Sequence, residues 1–217
     1  MAQIVLEPSG LYYPNRFARL LLLAMQDVMG LHGLNTILGM AGLNAYMDDL
    51  PPDDLARQFD FAYLAAINQA LEDVYGIRGG RGIALRIGRA MIDKGLNRFG
   101  ALAGMGDPAF RILPVDQRAW LGLQALAAVF NRFSDQLTNT TDDEAYYTFI
   151  VEPSPMTWGR SLDQQANHML TGIIQGTLRW STNGYEYHVQ EMPPDVIDSE
   201  QTVFRINKKP IGGVSLG

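Results

Sequence analysis

The apolar positions of this chain follow a helical period over most of its length and switch to a period of two in three late segments. Phe17, Leu20, Leu21, Ala24 and Val28 mark a first helix entered at Tyr13-Pro14-Asn15, and Gly30 is placed to stop it. Leu34, Ile37 and Leu38 predict a short second helix that runs to Gly39 or Gly42. Residues 47–54 read as an exposed acidic turn, because Pro51 and Pro52 forbid helix and the surrounding aspartates prefer water. Phe61, Leu64, Ile67, Leu71, Val74 and Tyr75 predict a one-sided helix over residues 60–75. A loop is expected at residues 76–82, followed by a helix with Ile83, Ile87 and Met91 in one row. Ala84 and Gly88 in that row are small enough for another backbone to approach closely.

A connection at residues 100–108 should lead to a helix from about Val115 to Thr138. Trp120, Leu123, Ala127 and Phe130 form one apolar stripe on it, and Leu126, Val129 and Phe133 form another, so it should be central. The aromatic and β-branched residues 145–151 then predict the first strand, closed by Pro153 and Pro155. An amphipathic helix over residues 161–180 and a turn at Asn183-Gly184 precede two alternating segments, residues 185–192 and 202–208, read as antiparallel strands. The order of elements predicts an α+β fold, with an N-terminal helical layer packed on a small antiparallel sheet from the C-terminal half.

Apolar residues are 47% and charged residues 18% of the 217, enough to bury a sizeable interior and too apolar for disorder. A net charge of −6 repels phosphate backbones, so nucleic acid is not an expected partner. No continuous apolar run approaches the roughly 18 to 20 residues of a membrane span, and the opening MAQIVLEPSG lacks the basic and apolar regions of a secretory signal; the expected location is the cytoplasm. The chain has no cysteine, which removes disulfides, thiolate catalysis and cysteine-ligated metals.

Candidate chemistry is sparse. The glycines at 76, 79, 80 and 82 follow a helix rather than a strand and lack the lysine of a phosphate loop, so they read as an interhelical turn. Arg78, Arg81, Arg86 and Arg89 present either a solvated helical face or a contact for an acidic head group. His168 is either a partly buried histidine with a backbone partner or a ligand to haem or metal. Alternation puts Glu191 on the face of Tyr187 and Val189, which means either a buried carboxylate or a strand end. No nucleophile elbow, catalytic triad order or kinase set is present.

The runs HMLTGIIQGTLRW, GYEYHVQE and TVFRI resemble the end of the 4-vinyl reductase, or hydrocarbon-binding, domain, with Gly172 and Gly176 matching its spaced glycines. VMGLHGLNTILGMAGL and FDFAYLAAINQALEDVYGIRGGRGIALRIGRA are similar to its helical region, so that the resemblance covers residues 14–209. The family commonly shows a glutamate followed by two cysteines associated with metal binding; Glu191 fits the first position, but Pro194 and Thr202 stand at the other two, and no metal is expected. The resemblance implies a fold shared with subunits of the TRAPP trafficking complex and with nitric-oxide-sensing haem domains, an internal apolar cavity and a homodimer.

The expectation is therefore one domain, residues 1–217, that binds or senses a small, largely apolar molecule (hydrocarbon, lipid or tetrapyrrole-like) without catalysis or cofactor. The alternatives are an accessory protein or reductase of tetrapyrrole vinyl-group metabolism, and an assembly subunit acting through its surface. The expected pocket lies among Leu64, Ile67, Leu71, Ile83, Ile87, Met91, Trp120, Leu123, Ala127 and Phe130, floored by Tyr147, Phe149 and Tyr187. Arg86, Arg89, His168 and Glu191 are its candidate polar contacts.

Overall fold

Two glycines that no other residue could replace without strain shape the helical layer. In the computed structural model, which describes residue 4 and residues 7–99, 108–160, 166–193 and 201–211, helix α1 (Asn15–Met40) breaks at Gly30 with φ 74°. Helix α3 (Phe61–Phe99) breaks in the same way at Gly76 with φ 71°. Both values lie in the region where a Cβ is penalised, so each long helix is two helices joined at a sharp corner. The loop expected at residues 76–82 is corrected: only Gly76 leaves the helix. Helix α1 is long and apolar enough to cross a membrane, but Leu21, Leu22, Met25, Ile37 and Leu38 are all fully buried in the core.

The first strands come early, not late as the sequence pattern implied. β1 (Tyr12–Pro14) pairs antiparallel with β2 (Arg57–Asp60), Tyr13 facing Phe59, and a short helix α2 (Ala45–Asp48) lies between them in the chain. Asp60 then accepts the Ala62 amide at 2.8 Å and the Ser9 hydroxyl at 2.6 Å, capping α3 and tying the N-terminal segment to it. Strands this short have too few residues to display a period.

After α4 (Pro108–Arg111), α5 spans Val115–Phe133 and stops five residues before the expected end. Ser134 turns extended, and Asn131 brackets Thr138 through hydrogen bonds of 2.7 Å to its amide and carbonyl. The chain is thereby redirected into β3 (Leu137–Asp142), a polar strand that the sequence reading assigned in part to the helix. β3 pairs with β4 (Tyr146–Glu152), β4 with β6 (Thr202–Asn207) and β6 with β5 (Val189–Glu191), giving an antiparallel sheet in the order β3-β4-β6-β5. β5 is shorter than expected, although Tyr187, Val189 and Glu191 keep the predicted alternation and are buried.

Helix α6 (His168–Ser181) lies across the second half of α3. A Cβ on Gly88 would stand 2.0 Å from the Met169 carbonyl oxygen, and one on Gly172 would stand 2.1 Å from that of Leu85, so the backbones cross in contact. This is the close approach that the small residues of α3 implied. The predicted start of this helix at residues 161–165, the connection at residues 100–107 and Pro194 lie outside the described residues. The α+β class, with helices packed on a C-terminal antiparallel sheet, is as expected.

Candidate ligand site

Where α1, α3, α5 and α6 meet, their side chains leave a cavity of about 120 Å³. Tyr13, Phe17 and Leu20 form one wall, and Met91, Ile92 and Gly95 of α3 a second. Ala125, Leu126, Val129, Phe130 and Phe133 of α5 form the third, Ile173 and Thr177 of α6 close the back, and exposed Leu55 stands at the rim. The aromatic wall is rigid, because Tyr13 stacks on Phe17 at 4.1 Å between centroids and packs against Phe61 and Phe130 at 4.8 and 6.2 Å.

The few polar groups that the described residues bring to this lining are already committed. The Tyr13 hydroxyl donates to Oε1 of fully buried Gln136, whose amide nitrogen donates to Thr138 Oγ1 at 2.9 Å. Ser134 and Thr177 donate to carbonyl oxygens of their own chain turn, Phe130 at 2.8 Å and Ile173 at 2.9 Å. Burial pushes the Tyr13 phenol well above its ordinary range, so it stays neutral. Among the described residues, a guest therefore meets an apolar, uncharged wall. Apolar cavities of roughly 150 Å³ stay dry and admit benzene, which sets the scale of what this one can hold.

Of the residues expected to line a pocket, Met91 and Phe130 do so. Leu64, Ile67, Leu71, Ile87, Leu123 and Ala127 are buried in the core, Ile83 packs against it, and Tyr147, Phe149 and Tyr187 lie on the buried face of the sheet. Trp120 stacks on Tyr147 at 5.6 Å. Arg86 is exposed and donates to the Val28 carbonyl at 3.1 Å, while half-buried Arg89 donates twice to Gln175. His168 is half-buried in the first turn of α6. The cavity instead uses the second stripe of α5, together with Tyr13 and Phe17, whose spacing of four was visible in the sequence but had no stated partner.

Glu191 is both a strand end and a buried carboxylate. It accepts hydrogen bonds from the Asn167 side chain at 2.7 Å and from the amides of Asn167 and Ala166 at 3.0 and 3.3 Å. Burial raises its pKa, an effect only partly opposed by these bonds and by the charge of Arg81. It braces the entry of α6 to the sheet, away from the cavity lining.

No family model and no curated protein sequence matches this chain. Solved structures do. The Fe(II) unliganded H-NOX protein from K. algicida superposes with a TM-score of 0.60 at 13% identity, covering 94% of this chain and 100% of that one. A mutant of the T. tengcongensis H-NOX gives 0.56 at 14% identity over 92% and 100%, and the IWP-051-bound H-NOX from Shewanella woodyi, in its Fe(II)CO ligation state, gives 0.55 at 11% over 94% and 98%. The chain thus has the fold of the H-NOX domains.

Haem, which that fold carries elsewhere, does not fit these residues. None of His32, His168 and His188 lines the cavity, and the chain has no cysteine. The Tyr13 hydroxyl is held by Gln136, and Met91, the remaining side chain of ligating type among the described lining residues, is a thioether that serves haem iron in company with a histidine.

Proposed function

We propose that this chain is a non-catalytic binding or sensory domain of the cell interior that takes a small, largely apolar molecule into the cavity between α1, α3, α5 and α6. The observation that carries this reading is the cavity itself: a space of about 120 Å³ in which the hydroxyls of the described lining residues donate within the protein. The 4-vinyl reductase resemblance, whose members sense aromatic hydrocarbons, supports the same ligand class and adds self-association to the proposal.

The test is Ala125→Phe, which places a ring in the space from the α5 wall. The full chain is titrated with an apolar fluorescent probe, and with toluene as a competitor. Wild type should bind the probe saturably and release it to toluene, and the variant should stay folded with binding lost. A folded variant that binds like wild type would place the site elsewhere.

A further inference from the structure

A second polar feature stands two turns along α5 from the cavity and does not depend on the reading above. Arg118 is 8% exposed, yet among the described residues its Nε has no hydrogen-bond partner and no carboxylate lies within ion-pairing distance. Tyr187 is 2% exposed, and its hydroxyl is likewise without a partner. Two orphaned donors are unusual in a folded interior, where buried polar groups almost always have partners and an unpaired charge is costly.

The sheet register brings them to one place. Tyr147 and Val189 both pair with Ile206, so β4 and β5 flank the same point of β6, and Tyr187 lies two residues before Val189 on that buried face. The Tyr147 hydroxyl donates to the Asp116 carbonyl at 3.0 Å, docking this end of the sheet on the first turn of α5, where Arg118 sits. We infer that Arg118 and the Tyr187 hydroxyl form a site for a small carboxylate, the guanidinium holding one or both oxygens and the phenol donating to one of them.

Of the charges that face the Tyr187 hydroxyl, Arg118 is the one that would attract an anion and Asp116 the one that would oppose it. Burial pushes the Tyr187 phenol up to about 12, Tyr147, Asp116 and Tyr185 add to the rise, and Arg118 opposes it, so the group remains a donor through the physiological range. Lys208 lies 5.0 Å above the Tyr147 ring and pairs with Asp142 at 2.9 Å, and Arg205 is exposed over the Tyr146 ring, so Arg118 is the buried cation at this end of the sheet with no carboxylate partner among the described residues. The acidic contact that the sequence reading sought at Arg86 or Arg89 is thereby assigned to Arg118.

The experiment is isothermal titration of the full chain with acetate and with benzoate, against chloride and inorganic phosphate at matched ionic strength. Both carboxylates should bind saturably and more tightly than chloride or phosphate. Arg118→Met should weaken them at least tenfold, and Tyr187→Phe severalfold while leaving circular dichroism unchanged. Should Arg118→Met fail to fold, the Tyr187→Phe arm decides alone. Absence of saturable carboxylate binding, a preference for chloride or phosphate, or affinity unaltered by the hydroxyl deletion would overturn the inference.

Discussion

Gly88→Ala adds one methyl group to a helix and should nonetheless destabilise the protein, because of where that methyl must go. Its carbon would lie 2.0 Å from the Met169 carbonyl oxygen, 2.8 Å from the Ile173 nitrogen and 3.0 Å from the Gly172 Cα, whereas ordinary contact begins at 3.4 Å. All three obstacles are backbone, so no rotamer change relieves the clash and α3 must back away from α6. Overpacking of this kind costs about 1–3 kcal/mol, and rigid obstacles place this case near the upper end. The gain of alanine over glycine in helix propensity, about 1 kcal/mol, offsets only part. A net loss of about 2 kcal/mol corresponds to a fall in Tm of roughly 4–8 °C for a chain of this length. Gly82→Ala on the same helix is the matched control. Its Cβ meets nothing within 4 Å and the site is exposed, so the same chemistry should leave stability unchanged or raise it by up to about 1 kcal/mol. Urea and thermal unfolding followed by circular dichroism measure both. Equal stability of the two variants would refute the crossing of α3 and α6 at Gly88.

Glu191→Gln should alter the pH dependence of stability. The raised pKa means that the folded protein retains the proton after the unfolded chain has released it near 4.5, so the contribution is full below that pH and is lost as pH rises through the folded value. Wild-type stability relative to the Gln variant should therefore decline as pH climbs above about 4.5, and parallel profiles would contradict it. Glu72→Ala should cost about 3–5 kcal/mol by urea unfolding, because it strands Arg160 in a pair with side chains only 9% and 13% exposed; a loss below about 1 kcal/mol, as for a surface pair, would show that the site is solvated.

Long periodic segments declared themselves in the sequence because a helix repeats its environment every three to four residues. Phe61 to Leu71 and Met169 to Leu178 read correctly for that reason, as did the alternation of Tyr187, Val189 and Glu191. The pair β1 and β2 was illegible, since three or four residues display no period and their pairing spans more than forty positions. The glycines after Gly76 misled because glycine permits a turn without requiring one, and the fold uses Gly80 for close packing, its absent Cβ lying 2.7 Å from the Leu71 carbonyl oxygen. β3 was hidden by its composition: an edge strand that is polar along LTNTTD offers no hydrophobic signal, and its start depends on Asn131 turning back to Thr138.

The local pattern by itself determined the α+β class, the long helices and the close meeting of small residues between α3 and α6, because each follows from interactions within a few turns of one element. It also displayed two apolar stripes on α5. Which stripe faces a cavity was settled only by tertiary packing: Val129 and Phe133 look toward Tyr13 and Phe17, while Leu123 and Ala127 are filled against their neighbours. The same packing decided that Arg118, one arginine among several in the sequence, is the one left buried without a counter-charge among the described residues. A cavity and an unpaired charge are properties of what surrounding elements fail to supply, and that is set by the relative placement of segments far apart in the chain.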